Sequence, residues 1–168
     1  CGGAWSGELI KGLNGTLPVE PVRGQMLLFR GVPGTISRIV LSRGKYVIPR
    51  RDGRVLVGST VEHVGYDKAT TSSAREELHE AAVTIFPCIE SMNLEHHWSG
   101  LRPGSADELP FIGMHPTIGG LFINTGHYRN GVVMGLASTE LLANLMLDEP
   151  PVVDPAPYSP ERIQLISA

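Results

Sequence analysis

The 168-residue sequence predicts an α+β fold: a mostly antiparallel sheet with one covering helix, followed by a last strand and helix. Three observations carry this reading. Arg51-Asp52-Gly53 joins two apolar runs, Lys45 to Pro49 and Arg54 to Thr60, and Asp-Gly in that setting is the strongest hairpin signal in the chain. Val22 to Arg30 alternates as a strand does, with Val22, Gly24, Met26 and Leu28 on one face and Arg23, Gln25, Leu27 and Phe29 on the other. Ser73-Ala74-Arg75-Glu76 has capping-box spacing, and Leu78, Ala81, Ala82 and Ile85 after it share one helical face.

The remaining elements follow in order. Residues 1 to 20 read as a loop with a short helical turn at best. Pro33 breaks the chain after the first strand, and Ile36 to Leu41 reads as a further strand. Pro87 stops the capped helix, whose other face puts His79 in solvent. Leu94 to Leu101 is the next strand, closed by Arg102-Pro103-Gly104, and Phe111-Ile112-Gly113 is a short buried segment. Leu121-Phe122-Ile123 reads as a buried strand, Gly131 to Leu147 as an apolar helix, and Pro150-Pro151 forbids its continuation. The tail beyond Val152, with its Ile163-to-Ile166 run, drapes over the body or frays.

Composition excludes several functions. A 42% hydrophobic content supports a real core, and a formal net charge of −3 with scattered Lys and Arg offers no basic face to nucleic acid. No apolar run reaches the roughly 18 residues of a membrane span and no signal peptide is visible, which reads as cytoplasmic. Cys1 and Cys88 form no disulfide framework and no zinc spacing, and adjacent His96 and His97 point to opposite faces of a strand. No Gly-x-Ser-x-Gly, His-Glu-x-x-His, phosphate-loop Lys or Gly-x-Gly-x-x-Gly motif occurs.

What remains for chemistry is Arg102 and Arg129 at presumed strand ends, Tyr46 on a strand, and the glycine-rich turn from Thr125 into the last helix. A helix start of this kind turns its free N–H groups and positive dipole end toward an electron-rich group. An Arg fork with a Tyr hydroxyl suits a small carboxylate. The same residues also read as an ordinary capped core helix, with Asn130 as N-cap, Arg129 solvated and Tyr46 in a hairpin core.

Six runs decide between these alternatives. Arg23-Gly24-Gln25, Tyr46-Val47-Ile48-Pro49-Arg50, Leu56-Val57-Gly58-Ser59-Thr60, Trp98-Ser99-Gly100-Leu101-Arg102-Pro103, Leu109-Pro110-Phe111-Ile112-Gly113 and Gly126-His127-Tyr128-Arg129-Asn130-Gly131 occur in this order. Together they resemble the C-terminal half of the glycine oxidases of thiamine biosynthesis, in the FAD-dependent D-amino acid oxidase family. The resemblance implies hydride transfer from a small amino acid to FAD and release of hydrogen peroxide. It implies that Arg102, Arg129 and Tyr46 hold the substrate, and that the turn of His127, Tyr128, Arg129, Asn130, Gly131, Val132 and Val133 faces the flavin.

It also implies that residues 1–20 end an FAD-domain segment, 21–97 form the substrate-binding domain, 98–148 return to the FAD domain and 149–168 are a tail. The family's N-terminal dinucleotide-binding half, with its glycine fingerprint, is missing from this sequence, so the isolated chain is expected to be an inactive fragment. A related sarcosine, proline or D-amino acid oxidase or dehydrogenase, the oxidase half of a tRNA-modifying enzyme, and a non-catalytic carboxylate-binding or interaction module are the alternatives. Cys88 is poorly placed for covalent flavin attachment, and the residues leave open whether the protein is a homo-oligomer.

Overall fold

The computed structural model describes residues 2–13, 15 and 17–162, so Cys1 and the Ile163-to-Ile166 run lie outside the described residues. It is a mixed α/β structure with a five-stranded sheet, β1 (Val19–Arg30), β2 (Val40–Ser42), β3 (Lys45–Pro49), β4 (Arg54–Gly58) and β5 (Asn93–Ser105), in the order β2-β3-β4-β1-β5. A two-stranded antiparallel sheet pairs β6 (Phe111–Met114) with β7 (Phe122–Thr125). The helices are α1 (Ser6–Lys11), α2 (Ser72–Ile85) and α3 (Gly131–Leu147). The chain divides into two compact units, one of residues 2–22 and 102–162 and one of residues 23–101, and crosses between them within β1 and β5.

In the second unit the hairpin forms where Asp52-Gly53 places it. The Asp52 carboxylate accepts the Arg54 N–H at 3.1 Å, and Gly53 takes φ +85°, with no room for a side chain against the Gly31 carbonyl. Cross-strand rows then alternate between two faces. Leu27, Val57 and Val47 form one inward row, Phe29 and Val55 the next, and Leu78 and Ala82 of α2 close over them with Ile36 and Ile89. Full burial of one such side chain contributes about 1.5–3 kcal/mol. Met26, Gly58 and Tyr46 form a row on the opposite face, with Leu28, Leu56 and Ile48 beside it.

The inward row of β1 does not stop at its apolar residues. Arg23 and Gln25 lie on the same side as Leu27 and are buried, 3% and 0% exposed. Such groups need full hydrogen bonding. Arg23 donates to Glu62 at 2.6 Å and to Asp67 at 2.7 Å. Gln25 donates to Glu62 at 2.9 Å, accepts the Thr71 N–H at 2.9 Å and lies 2.9 Å from His97 Nε2, while the Thr60 hydroxyl donates to Glu62. This cluster pins the segment from Thr60 to Thr71 beside β1, and Thr71 in turn caps α2.

Several expectations are corrected. The cap of α2 is Thr71, whose hydroxyl oxygen takes the Ala74 N–H at 3.3 Å, and not Ser73, because Gln25 holds Thr71 in the extended conformation a cap needs. Ile36 to Leu41 is not a strand: only Val40–Ser42 pairs, and the turn around Gly34 instead drops Ile36 into the core. His79 is half-buried with its ring 5.7 Å from that of Phe29. Residues 6–11 form a short helix where a loop with at most a helical turn was expected, because Ile10 packs with Leu17, Val19, Phe111 and Ile123 in the core of the first unit. β5 runs on through Arg102-Pro103-Gly104 to Ser105. The tail docks as far as it is described: the Arg162 guanidinium lies 3.9 Å over the Phe111 ring and bonds Asp107 at 3.0 Å.

Burial alone would push the Glu62 carboxyl up, but the hydrogen bonds from Thr60, Arg23 and Gln25 and the Arg23 charge outweigh it and hold the group below its usual range. The stability this supplies is complete above the unfolded pKa of about 4.3 and is lost as pH falls through the lower folded value. Glu62→Gln should therefore lower urea-unfolding stability at pH 7, with the gap to the wild type closing below about pH 4.3; a gap independent of pH would contradict this linkage.

Candidate functional site

In the first unit the site is built on the passage from β7 into α3. After Thr125 the chain reverses through Gly126 at φ +81° and Tyr128 at φ +50°. Gly126 packs on Phe111, whose ring a Cβ would meet at 3.3 Å. A bulky residue such as Tyr128 rarely enters the left-handed region, and it is held there by its N–H bond to the Pro103 carbonyl at 3.0 Å. That bond joins the backbones carrying Arg102 and Arg129, each one residue away from it.

α3 starts open. Its first internal bond runs from the Met134 N–H to the Asn130 carbonyl, and Asn130, although at the N-cap position, makes no side-chain cap bond. Among the described residues the N–H groups of Gly131, Val132 and Val133 therefore point out of the helix end without a partner. Around them Val132, Val133 and Leu136 are 99%, 88% and 89% exposed. A helix end that presents donors and a positive dipole amid bare apolar side chains fits a flat, largely apolar group with an electron-rich edge.

A cavity of about 530 Å³ lies beside this turn, lined by α1, β7 and residues 127, 128 and 131. Two buried polar atoms on its lining residues, Asn124 Oδ1 and His127 Nε2, have no hydrogen-bond partner among the described residues. Such atoms are costly to leave unpaired. Burial pushes the His127 imidazole below its ordinary value of 6.5.

Arg102 is half-buried on β5 and Arg129 is exposed at the turn, both in the first unit, with His127 to Val133 next to them. Tyr46 stands on β3 in the second unit, half-buried, with its hydroxyl 3.7 Å from the Met26 sulfur. Sequence reasoning missed Met26, whose only signal was its place in the alternation of β1, and Asn124, which a buried-strand reading hides. Among the described residues no group of three His, Cys, Asp or Glu side chains could hold a metal ion, and no helix is long and apolar enough to cross a membrane.

Comparison with known proteins assigns the strand, turn and open helix to a class of flavoproteins. The FAD dependent oxidoreductase (DAO) family pattern matches residues 1–145, and the chain belongs to this family, whose members are FAD-dependent. It is 52% identical over 158 residues to the glycine oxidase of Pseudomonas aeruginosa, covering 94% of this chain and 43% of that protein. It is 36% identical to the bifunctional protein ThiO/ThiG of Synechocystis, covering 95% of this chain and 24% of that one. The crystal structure of glycine oxidase from Geobacillus kaustophilus superposes with a TM-score of 0.86 at 32% identity, over 94% of this chain and 43% of that one. The chain thus spans less than half the length of these relatives. The open N–H groups, the bare apolar residues at the start of α3 and the orphaned His127 and Asn124 atoms are of a chemistry that fits FAD.

In NMR titrations of imidazole-labelled protein the His127 ring should protonate below pH 6.5, the neutral form being favoured by the fold. Its share of stability is then lost as pH falls below that value. A midpoint above 6.5 would contradict its burial.

Proposed function

We propose that this chain is the C-terminal portion of an FAD-dependent amine oxidase that converts glycine or another small amino acid to the imine. The observation that carries the reading is the bond between the Tyr128 N–H and the Pro103 carbonyl, which sets the Arg102 and Arg129 backbones side by side next to the open start of α3. An arginine on each of these two backbones suits a carboxylate, by charge-assisted and often bidentate bonds. By the resemblance to the family, Arg102 is the main partner of the substrate carboxylate, Arg129 assists it, and Tyr46 adds a hydrogen bond from its phenol.

The residues His127 to Val133 would hold FAD, which when bound supplies a two-electron acceptor for the hydride from the substrate Cα and passes the electrons to O₂, giving hydrogen peroxide. The N–H groups of Gly131, Val132 and Val133 would stabilise negative charge growing in front of them, at no cost in reorganisation since the fold fixes them. Exposed Val132 and Val133 would exclude water from that contact. No side chain of this chain is assigned as a general base. The likeness to glycine oxidases and to ThiO/ThiG supports glycine as substrate and, with it, supply of the imine for the thiazole of thiamine.

The complete gene product should release peroxide from glycine, and Arg102→Ala should reduce kcat/KM roughly thirty- to several-hundred-fold, as loss of a charge-assisted carboxylate contact does. Unchanged kcat/KM in that variant would remove Arg102 from the site. Absence of peroxide with glycine, but release with sarcosine, proline or a D-amino acid, would keep the class and change the substrate.

A further inference from the structure

Tyr46 is held by two residues to which neither the motifs nor the comparisons give a role. It pairs with Gly58 across β3 and β4, and Gly58 pairs with Met26 across β4 and β1, so the three form one row on the sheet face opposite α2. The phenol lies along that row. A Cβ built on Gly58 would come within 2.9 Å of the Tyr46 hydroxyl and 3.0 Å of two ring carbons. The backbone of Gly58 is outside the left-handed region, so it is the ring above it, and not its own conformation, that requires glycine here. Having crossed β4, the hydroxyl reaches the sulfur of half-buried Met26 at 3.7 Å.

We propose that Met26 and Gly58 are positioning residues for the Tyr46 phenol, which they hold as a poised donor; this rests on the reading that gives Tyr46 a part in binding the substrate carboxylate. Gly58 sets where the ring lies by leaving its own face bare. Met26 sets where the proton points. A thioether is a weak acceptor, so it orients the hydroxyl without competing with an anionic oxygen, to which a phenol bonds far more strongly. A carboxylate entering the site takes over the proton with little lost from the resting contact. An amide or carboxylate in place of Met26 would trap the hydroxyl instead.

The test uses the complete gene product with glycine. Met26→Leu keeps the volume and removes the acceptor, and should raise KM roughly 2- to 10-fold, the range that one neutral hydrogen bond carries, with kcat little changed. Gly58→Ala should raise KM more, since the ring must leave its place. In a Tyr46→Phe background Met26→Leu should have no further effect. Equal effects in both backgrounds, or none in either, would overturn the proposal, because Met26 would then act elsewhere or not at all.

A second arm needs no turnover and so separates this inference from the functional reading. In protein labelled with 3-fluorotyrosine, the ¹⁹F resonance absent from Tyr46→Phe belongs to Tyr46, and both Met26→Leu and Gly58→Ala should shift it. If no small amino acid is oxidised but the resonance shifts, the functional reading fails and the positioning stands. A resonance unmoved by both substitutions overturns the positioning itself.

Discussion

Backbone N–H groups at the start of α3 that none of the described residues satisfies are the constraint around which the first unit is arranged. Opening a helix this way requires that the N-cap side chain stay away, that the preceding turn reverse sharply, and that something else hold the turn. Asn130 makes no cap bond, Gly126 and Tyr128 take left-handed conformations, and the Pro103 carbonyl at the far end of β5 supplies the anchor. Left in water the donors would bond to it, but Val132 and Val133 would stand as bare apolar surface around them. They make sense as one wall of a binding site for a flat, electron-rich group, and the chain belongs to an FAD-dependent family.

The second unit meets a different constraint with a different device. Its sheet has one apolar face under α2, but the inward row of β1 ends in Arg23 and Gln25. Burying these would be unfavourable without partners, and the segment following β4 returns to supply them through Thr60, Glu62, Asp67 and Thr71. The result is that the polar cluster, rather than apolar packing alone, fixes where α2 begins.

Local patterns in the sequence made much of this legible. The Asp52-Gly53 hairpin, the helix after Thr71 and the helix from Gly131 to Leu147 follow from turn chemistry and periodicity, which act over a few residues. What escaped depends on distant partners. Thr71 outcompetes Ser73 as a cap because of Gln25, β5 continues through Arg102-Pro103-Gly104 where local rules end it, and Ile36 leaves its presumed strand for a core made by other elements. The site shows the same division. Arg102, Arg129 and Tyr46 could be singled out by residue type and motif, whereas the row of Met26, Gly58 and Tyr46 needs the register of three strands, which no single run of residues displays.

The central claim is that the residues around the start of α3 recognise a carboxylate next to a bound flavin. The most direct measurement is a spectral titration of the complete flavoprotein, without turnover, using a non-oxidisable small carboxylate such as acetate and its neutral amide. The account predicts saturable perturbation of the flavin absorbance by the carboxylate and none by the amide over the same range. Equal responses to the two, or no response to either, would contradict it.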